Sequence, residues 1–407
     1  MNYKLRSILC LALILNFQFS ILNSQNWTER RVGDAGKSPF ISRIIEYKPA
    51  PGQFINQDGI GTPEAAQSII GGLEGLVSLG GFGGYIIVGF DHTIWNDPEN
   101  PYGVDFTIVG NAISNSSEPG VVMVMRDTNG NGIPDDGEWY ELKGGNHDLP
   151  TTIRNYTITY KNPNSDEAAD VLWTDNMGNS GVLKNIITHR QPYYPLPEIF
   201  PDYPQNEVTF TGTLIGLDII DDDPQYIRIP ALKFGYADNN PFTGWSPPFF
   251  PDNPNTENIL EGNGGDAFDI DWAIDKDGKS VYLEGIDFIK IHTAVNHNAG
   301  WLGEISTEIC AVIDVSPYDI LSIRDLTDKT DIVVYPNPAD DFVNICFEER
   351  QTVSVEIWNY AGKLFYSNKE VAGNLLTIPI HDFPSGVYMV CIYDGTKRIV
   401  KKIVKKG

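Results

Sequence analysis

Basic residues are scarce in this chain: 29 Lys and Arg stand against 54 Asp and Glu, a formal charge of −25. A surface that acidic repels phosphate backbones, which are bound through clustered Lys and Arg, so nucleic acid is excluded as a partner. Cysteine is nearly absent as well. Cys10 falls in the leader, and Cys310, Cys346 and Cys391 are too few for a disulfide-built scaffold. Cys346 and Cys391 both fall on expected strands, where a bridge and a buried thiol pair remain open readings. Past the leader, no apolar run approaches the ~20 residues of a membrane span. Helical periodicity is sparse, with residues 63–70 the one short candidate. No HExxH, GxSxG, Walker loop or CxxC pair occurs, and His92, His147, His189, His292, His297 and His381 lack metal-ligand spacing. Single carboxylates such as Glu118, Asp105 or Glu304 form a hydrolytic pair only if the fold brings two of them together. No residue receives a catalytic assignment.

What is abundant points to β-structure. With 39 Gly, 27 Pro and many aromatics, short strands are divided by turn chemistry. Strands are expected at 41–48, 85–90, 105–109, 121–125, 139–142, 153–160, 208–214, 227–234, 267–274, 286–295 and 305–312. That series implies an all-β fold, a jelly-roll or β-sandwich central domain with long loops. Residues 1–24 read as a secretion signal: Lys4 and Arg6 precede a short apolar core, and cleavage fits after Ser24. The central domain then spans 25–315, a linker 316–330, and a second small domain 331–407 that ends in a basic tail. Two Pro-aromatic segments, 191–205 and 241–256, interrupt the strand pattern. Their Tyr193, Tyr194, Trp245, Phe249 and Phe250 either offer a ligand-binding surface or pin the loops to the body.

The most specific local pattern is DTNGNGIPDDGE, at residues 127–138. Oxygen side chains stand at loop positions one, three, five, nine and twelve: Asp127, Asn129, Asn131, Asp135 and Glu138. Gly132 permits the sharp turn and Ile133 offers its carbonyl. Calcium takes six to eight oxygens in irregular geometry, so this spacing predicts a calcium loop, here between strands and not between helices. Asp136 occupies a non-ligand position in that register. A second acidic group, Asp266, Asp269 and Asp271, lies in GNGGDAFDIDWAID. On a strand, Asp269 and Asp271 would share one face and repel unless solvated or bridged by a cation, with Asp91 a further contributor.

The last domain carries Tyr335-Pro336-Asn337-Pro338, an Ala361-Gly362-Lys363 turn, Ser385-Gly386-Val387-Tyr388 and Lys401-Lys402. In that order these motifs resemble the type A C-terminal sorting domain of type IX secretion cargo. The resemblance implies a small immunoglobulin-like β-sandwich that addresses the protein to the type IX secretion machinery. In that family the domain is commonly removed, and the cargo is released or held on the outer surface. The blocks EYKPAPGQFIN, SLGGFGGYIIVGFDHTI, GGDAFDIDWAID and GIDFIKIHTAVNHNAGWLGEISTEI resemble a group of bacterial secreted or cell-surface proteins. More distantly, they are similar to galactose-binding-like (discoidin-type) jelly rolls. The jelly-roll resemblance carries over the fold and not the ligand. Together with the calcium loop and the sorting motifs, it leads to the expectation of a secreted or surface-displayed, calcium-stabilised binding protein for a glycan, a cell-surface polysaccharide or another extracellular polymer. Two alternatives stay open: a polysaccharide hydrolase using a carboxylate pair, and a structural adhesin.

Overall fold

The computed structural model describes residues 38–98, 100–221, 227–242, 251–256, 262, 264–300, 303–316, 333–337, 339–359, 363–393 and 398–406. The expected leader, all but one residue of the expected linker, and Trp245, Phe249, Phe250 and Pro338 lie outside the described residues. The chain divides into two compact units, Gly36–Pro317 and a C-terminal unit whose described strands begin at Val333.

The central unit runs through β1 (Arg43–Lys48), helix α1 (Pro63–Ser68), β2 (Val77–Ser78), β3 (Tyr85–Trp95), β4 (Phe106–Val109), β5 (Gly120–Met125), β6 (Tyr140–Leu142) and β7 (Ile153–Lys161). It continues through β8 (Val171–Asp175), β9 (Ser180–Leu183), β10 (Glu207–Leu214), β11 (Asp266–Phe268), β12 (Ala273–Ile274), β13 (Gly285–Thr293), β14 (Glu308–Ile309) and β15 (Ala311–Asp314). All strand pairs in it are antiparallel. A six-stranded sheet, β1-β3-β13-β5-β6-β12, faces a three-stranded one, β11-β4-β15. Between them lies the main core: Ile86, Val88, Val122, Val124, Ile289 and Ile291 from the first sheet, Phe106, Ile108, Phe268 and Val312 from the second. Strand alternation decides which side chains go there. In β5, Val122 and Val124 enter this core, while Val121 and Met123 point the other way onto Leu232 and Tyr236. The all-β sandwich expected from the strand pattern is what the chain forms.

A separate four-stranded sheet, β10-β7-β8-β9, carries an aromatic core of its own. Tyr193 and Tyr194 belong to it and are buried, with Phe200 and Tyr203 from the same Pro-rich segment. The Tyr193 hydroxyl accepts from the Ile186 N–H at 3.1 Å, and that of Tyr194 donates to the Pro204 carbonyl at 2.7 Å. These two tyrosines are therefore pins and not a ligand-binding surface. Aromatic rings in a Pro-rich loop gain more by leaving water against a neighbouring sheet than by staying exposed.

The strand expected at 227–234 is absent. Pro230 lacks the N–H a ladder needs, and only isolated bridges, Ile229 to Ser116 and Arg228 to Ile220, form there. The strand expected over 267–274 also breaks. It stops at Phe268, and Ile270–Trp272 form a 3₁₀ turn before β12.

The C-terminal unit holds β16 (Val333–Tyr335), β17 (Phe342–Asn359), β18 (Leu364–Pro379), β19 (Gly386–Tyr393) and β20 (Arg398–Lys405). Its order is β16-β17-β19-β20, with β18 also on β17, around a core that includes Val343, Ile345, Val355, Ile357, Val390, Ile392 and Ile403. The basic tail is strand β20. No disulfide joins Cys346 to Cys391: Cys346 lies opposite Val333 and Leu375, Cys391 opposite Glu356 and Val400.

Candidate metal centre

The 127–138 loop connects β5 to β6, which pair at Met123–Glu141 and Val124–Tyr140. Its start is fastened to β13: the Asp127 N–H donates to the Asp287 carboxylate at 2.8 Å, and the Arg126 Nε lies 3.3 Å from the same oxygen. From that anchor the chain coils tightly. Asp127 Oδ1 accepts from the Gly130 and Asn131 N–H groups at 2.7 and 3.2 Å, and Oδ2 accepts from Gly132 at 2.7 Å. Asn129 Oδ1 accepts from the Asn131 N–H at 2.9 Å, and Asn131 Oδ1 from Ile133 at 2.7 Å. Each short polar side chain thus turns the backbone that follows it. Gly130 and Gly132 take left-handed φ values of 71° and 74°, where a Cβ would be strained.

The coiling brings Asp127, Asn129, Asn131 and Asp135 together. The Asn131 amide donates to Asp135 Oδ1 at 3.1 Å, and that of Asn129 to the same oxygen at 3.4 Å. Ile133 is 54% exposed, an apolar side chain left in water where the chain turns. Glu138 is not brought in: its Oε1 accepts from the Lys276 N–H at 3.2 Å, in the turn before β13. Asp136, the position outside the expected ligand set, instead holds the loop closed. Its Oδ2 accepts from the Thr128 and Asn129 N–H groups at 2.6 and 2.8 Å. The Asn129 N–H first, with the Thr128 bonds, keeps this exposed carboxyl below the usual carboxylate range. Spacing in the sequence marks ligand positions but not a residue that reaches back seven or eight places to cap the loop.

The second acidic group is dispersed. Asp266 is buried and accepts from the N–H groups of Asn239 and Asn240 at 2.9 and 3.0 Å. Burial pushes it up to about 7. Asp269 caps the 3₁₀ turn, accepting from the Asp271 N–H at 2.8 Å, and Asp271 accepts from the Asn96 amide at 2.7 Å. Because the strand ends at Phe268, the two-residue alternation that would align Asp269 with Asp271 does not operate. Asp91 lies elsewhere, 2.7 Å from His92 Nδ1. Asp105 accepts from the Asp97, Asn100 and Ile270 nitrogens inside the 97–105 connection.

In the C-terminal unit, Asn337 joins the two ends of the fold. Its amide donates to the Lys402 carbonyl and its Oδ1 accepts from the Val404 N–H, both at 2.9 Å. Tyr335 ends β16, Gly386 opens β19 opposite Lys405, and Lys401 and Lys402 lie on β20 opposite Val390 and Met389. Tyr388 is buried against Phe365 and Phe383.

Residues 333–406 match the secretion system C-terminal sorting domain. The chain is secreted cargo of the type IX route, exported to the cell surface or the extracellular space. The sorting domain therefore implies contact with the type IX machinery. No curated protein matches the chain. Among the described residues no helix is long and apolar enough to cross a membrane.

Proposed function

We propose that the central unit is a calcium-stabilised binding module displayed outside the cell, and that it engages a glycan or another extracellular polymer. The observation that carries the calcium reading is the convergence of Asp127, Asn129, Asn131 and Asp135 in a loop coiled by its own oxygen side chains. A hard cation that tolerates irregular oxygen shells suits that set, and Glu138 would have to leave Lys276 to supply the position-twelve carboxylate. The glycan reading rests on export to the outside, where extracellular polymers are the available partners, and on an all-β sandwich with long Pro-aromatic loops. Tyr193 and Tyr194 are withdrawn from it by their burial, which leaves Trp245, Phe249 and Phe250 as its aromatic candidates.

The hydrolase alternative needs two carboxyls within reach of a glycosidic oxygen. Asp238 and Glu308, whose carboxyls lie close together, are fully buried, which favours binding over hydrolysis. A glycan array probed with the mature chain, in calcium and then in chelator, tests the ligand: binding that disappears with chelator is expected, and silence across the array sinks the glycan reading. Thermal melting tests the metal. Calcium at ~100 times its dissociation constant adds about 2.7 kcal/mol to stability. Chelation should lower the melting temperature, calcium should restore it, and magnesium, with its tighter octahedral shell, should substitute poorly. An Asp127→Ala chain with an undiminished calcium shift would make the loop a turn and nothing more.

A further inference from the structure

A different group of acids meets in the interior of the central unit. Glu118 precedes β5, Asp238 lies in the connection between β10 and β11, and Glu308 opens β14. One carboxylate oxygen from each lies within 4.8 Å of the other two. The three stretches are bound together by their backbones as well. The Glu118 N–H donates to the Asp238 carbonyl at 3.0 Å, the Glu308 N–H donates to Asp238 Oδ2 at 2.8 Å, and the Thr307 hydroxyl donates to the Glu118 carbonyl at 2.9 Å. Asp238 also caps the turn after β4, its Oδ1 accepting from the Asn111 and Ala112 N–H groups at 2.9 and 2.8 Å. A Cβ at Gly110 would approach that oxygen to 2.1 Å, so glycine is required there.

Three backbone donors orient the Asp238 carboxylate, while burial, and then the Glu308 charge, push its pKa well above the ordinary carboxylate value. Glu308 is 0% exposed; its Oε1 accepts from the Ser306 hydroxyl at 2.5 Å, while its Oε2 has no hydrogen-bond partner. Glu118 lies against it side chain to side chain. Nearby Glu304 repeats the pattern: 4% exposed, Oε1 bonded to the Gln53 N–H at 2.5 Å, and Oε2 without a donor. Among the described residues, none of the ion pairs engages any of these four acids. The strongest charged neighbours of Glu118 are Glu308, Asp238 and Glu304, all of its own sign. Burial first, and mutual repulsion after it, raise the pKa of Glu118 and Asp238, so a group of this kind is buried either with protons on it or with a positive charge beside it.

We propose that Glu118, Asp238 and Glu308 bind a calcium ion in the interior of the central unit, at a site separate from the 127–138 loop. Calcium–oxygen distances of about 2.3–2.6 Å put opposite ligands about 4.6–5.2 Å apart, so oxygens within 4.8 Å of one another fit one shell. All the donors are oxygens, which suits a hard cation and not zinc or copper. The Ser78 and Asn111 side chains donate to the Glu308 carboxyl, and their oxygens, if turned toward an ion, would enlarge the set toward the six to eight that calcium takes. The ion fills the place where the donorless Glu308 oxygen would otherwise face other carboxylates.

Calcium counting distinguishes this site from the loop. The full chain carrying Asp127→Ala, equilibrated with excess calcium and gel-filtered, should retain one ion per chain by plasma mass spectrometry. Adding Glu118→Gln, the mildest of the three changes because Glu118 is only partly buried, should remove it. No ion in the Asp127→Ala chain overturns the proposal, and so does an ion that survives the second substitution. Should the double variant fail to fold, crystals of the parent chain grown in calcium decide the matter. An anomalous peak among the three carboxylates supports the site, and its absence there ends it.

Discussion

The two units bury different things. Every buried polar or charged side chain among the described residues lies in the central unit, from Gln53 to Asp314, whereas the core of the sorting domain consists of aliphatic and aromatic side chains. An apolar core needs only the right pattern and volume, so it folds wherever it is synthesised. A core that includes Asp238, Glu304 and Glu308 needs partners for its oxygens, and Glu304 Oε2 and Glu308 Oε2 have no hydrogen-bond donor. The sorting domain is closed by apolar packing, and the central unit places carboxylates inside its core.

Separating the units gives the largest expected effect. Deleting 331–407 should leave the protein inside the cell envelope, with its calcium-dependent melting intact. Cell fractionation and melting of the truncated chain check both halves, and truncated protein at normal levels on the surface or in the medium would break the comparison. Next in size is Ile357→Ala, which opens a cavity in the sorting domain and should cost about 2–5 kcal/mol there. In a melt of the full chain only the transition insensitive to chelator should move. Asp136→Ala, which removes the acceptor for the Thr128 and Asn129 N–H groups, should weaken calcium binding without abolishing it. Isothermal titration compares it with Asp127→Ala, and an unchanged affinity would mean that the loop closes without the cap.

The smallest effect concerns pH. His92 lies between Asp314 at 2.8 Å and Asp91 at 2.7 Å. Burial works to lower its pKa, but the bonds to Asp314 and then Asp91 outweigh it and raise it above the ordinary imidazole value. A raised imidazole contributes fully below its unfolded pKa and loses that contribution as pH rises through the folded one. The parent should therefore lose stability relative to His92→Gln across that window in urea titrations at stepped pH. Parallel curves would mean that the imidazole stays neutral.

Legibility in the sequence followed the same division. Alternation placed β5, β7, β10 and β13 within a residue or two, because one face of each meets an apolar core. The β8–β9 hairpin went unseen, although VLWTDNMGNSGVL alternates around a turn in which Asp175 accepts from Met177 and Asn179. In the sorting domain β20 reads as a charged tail because Lys401 and Lys402 mask the buried Ile403. The coiled turn at 127–138 was legible because the Asp, Asn and Gly residues that form it are neighbours in the chain. Glu118, Asp238 and Glu308 are not: Asp238 and Glu308 alone lie 70 positions apart, and only the folded sheets bring them together.

Asn337 also bears on the order of events. It bonds to the backbone of Lys402 and Val404 across separations of 65 and 67 residues, so Asn337 and the β20 backbone form one surface only after nearly the whole domain has formed. Contacts of such high sequence separation form late, because the loop between them must close first. A fragment carrying either end alone lacks that surface, and a single backbone cut between them that lets the halves part would erase it. A partner that contacts both ends at once would therefore meet a finished shape and not a stretch of text.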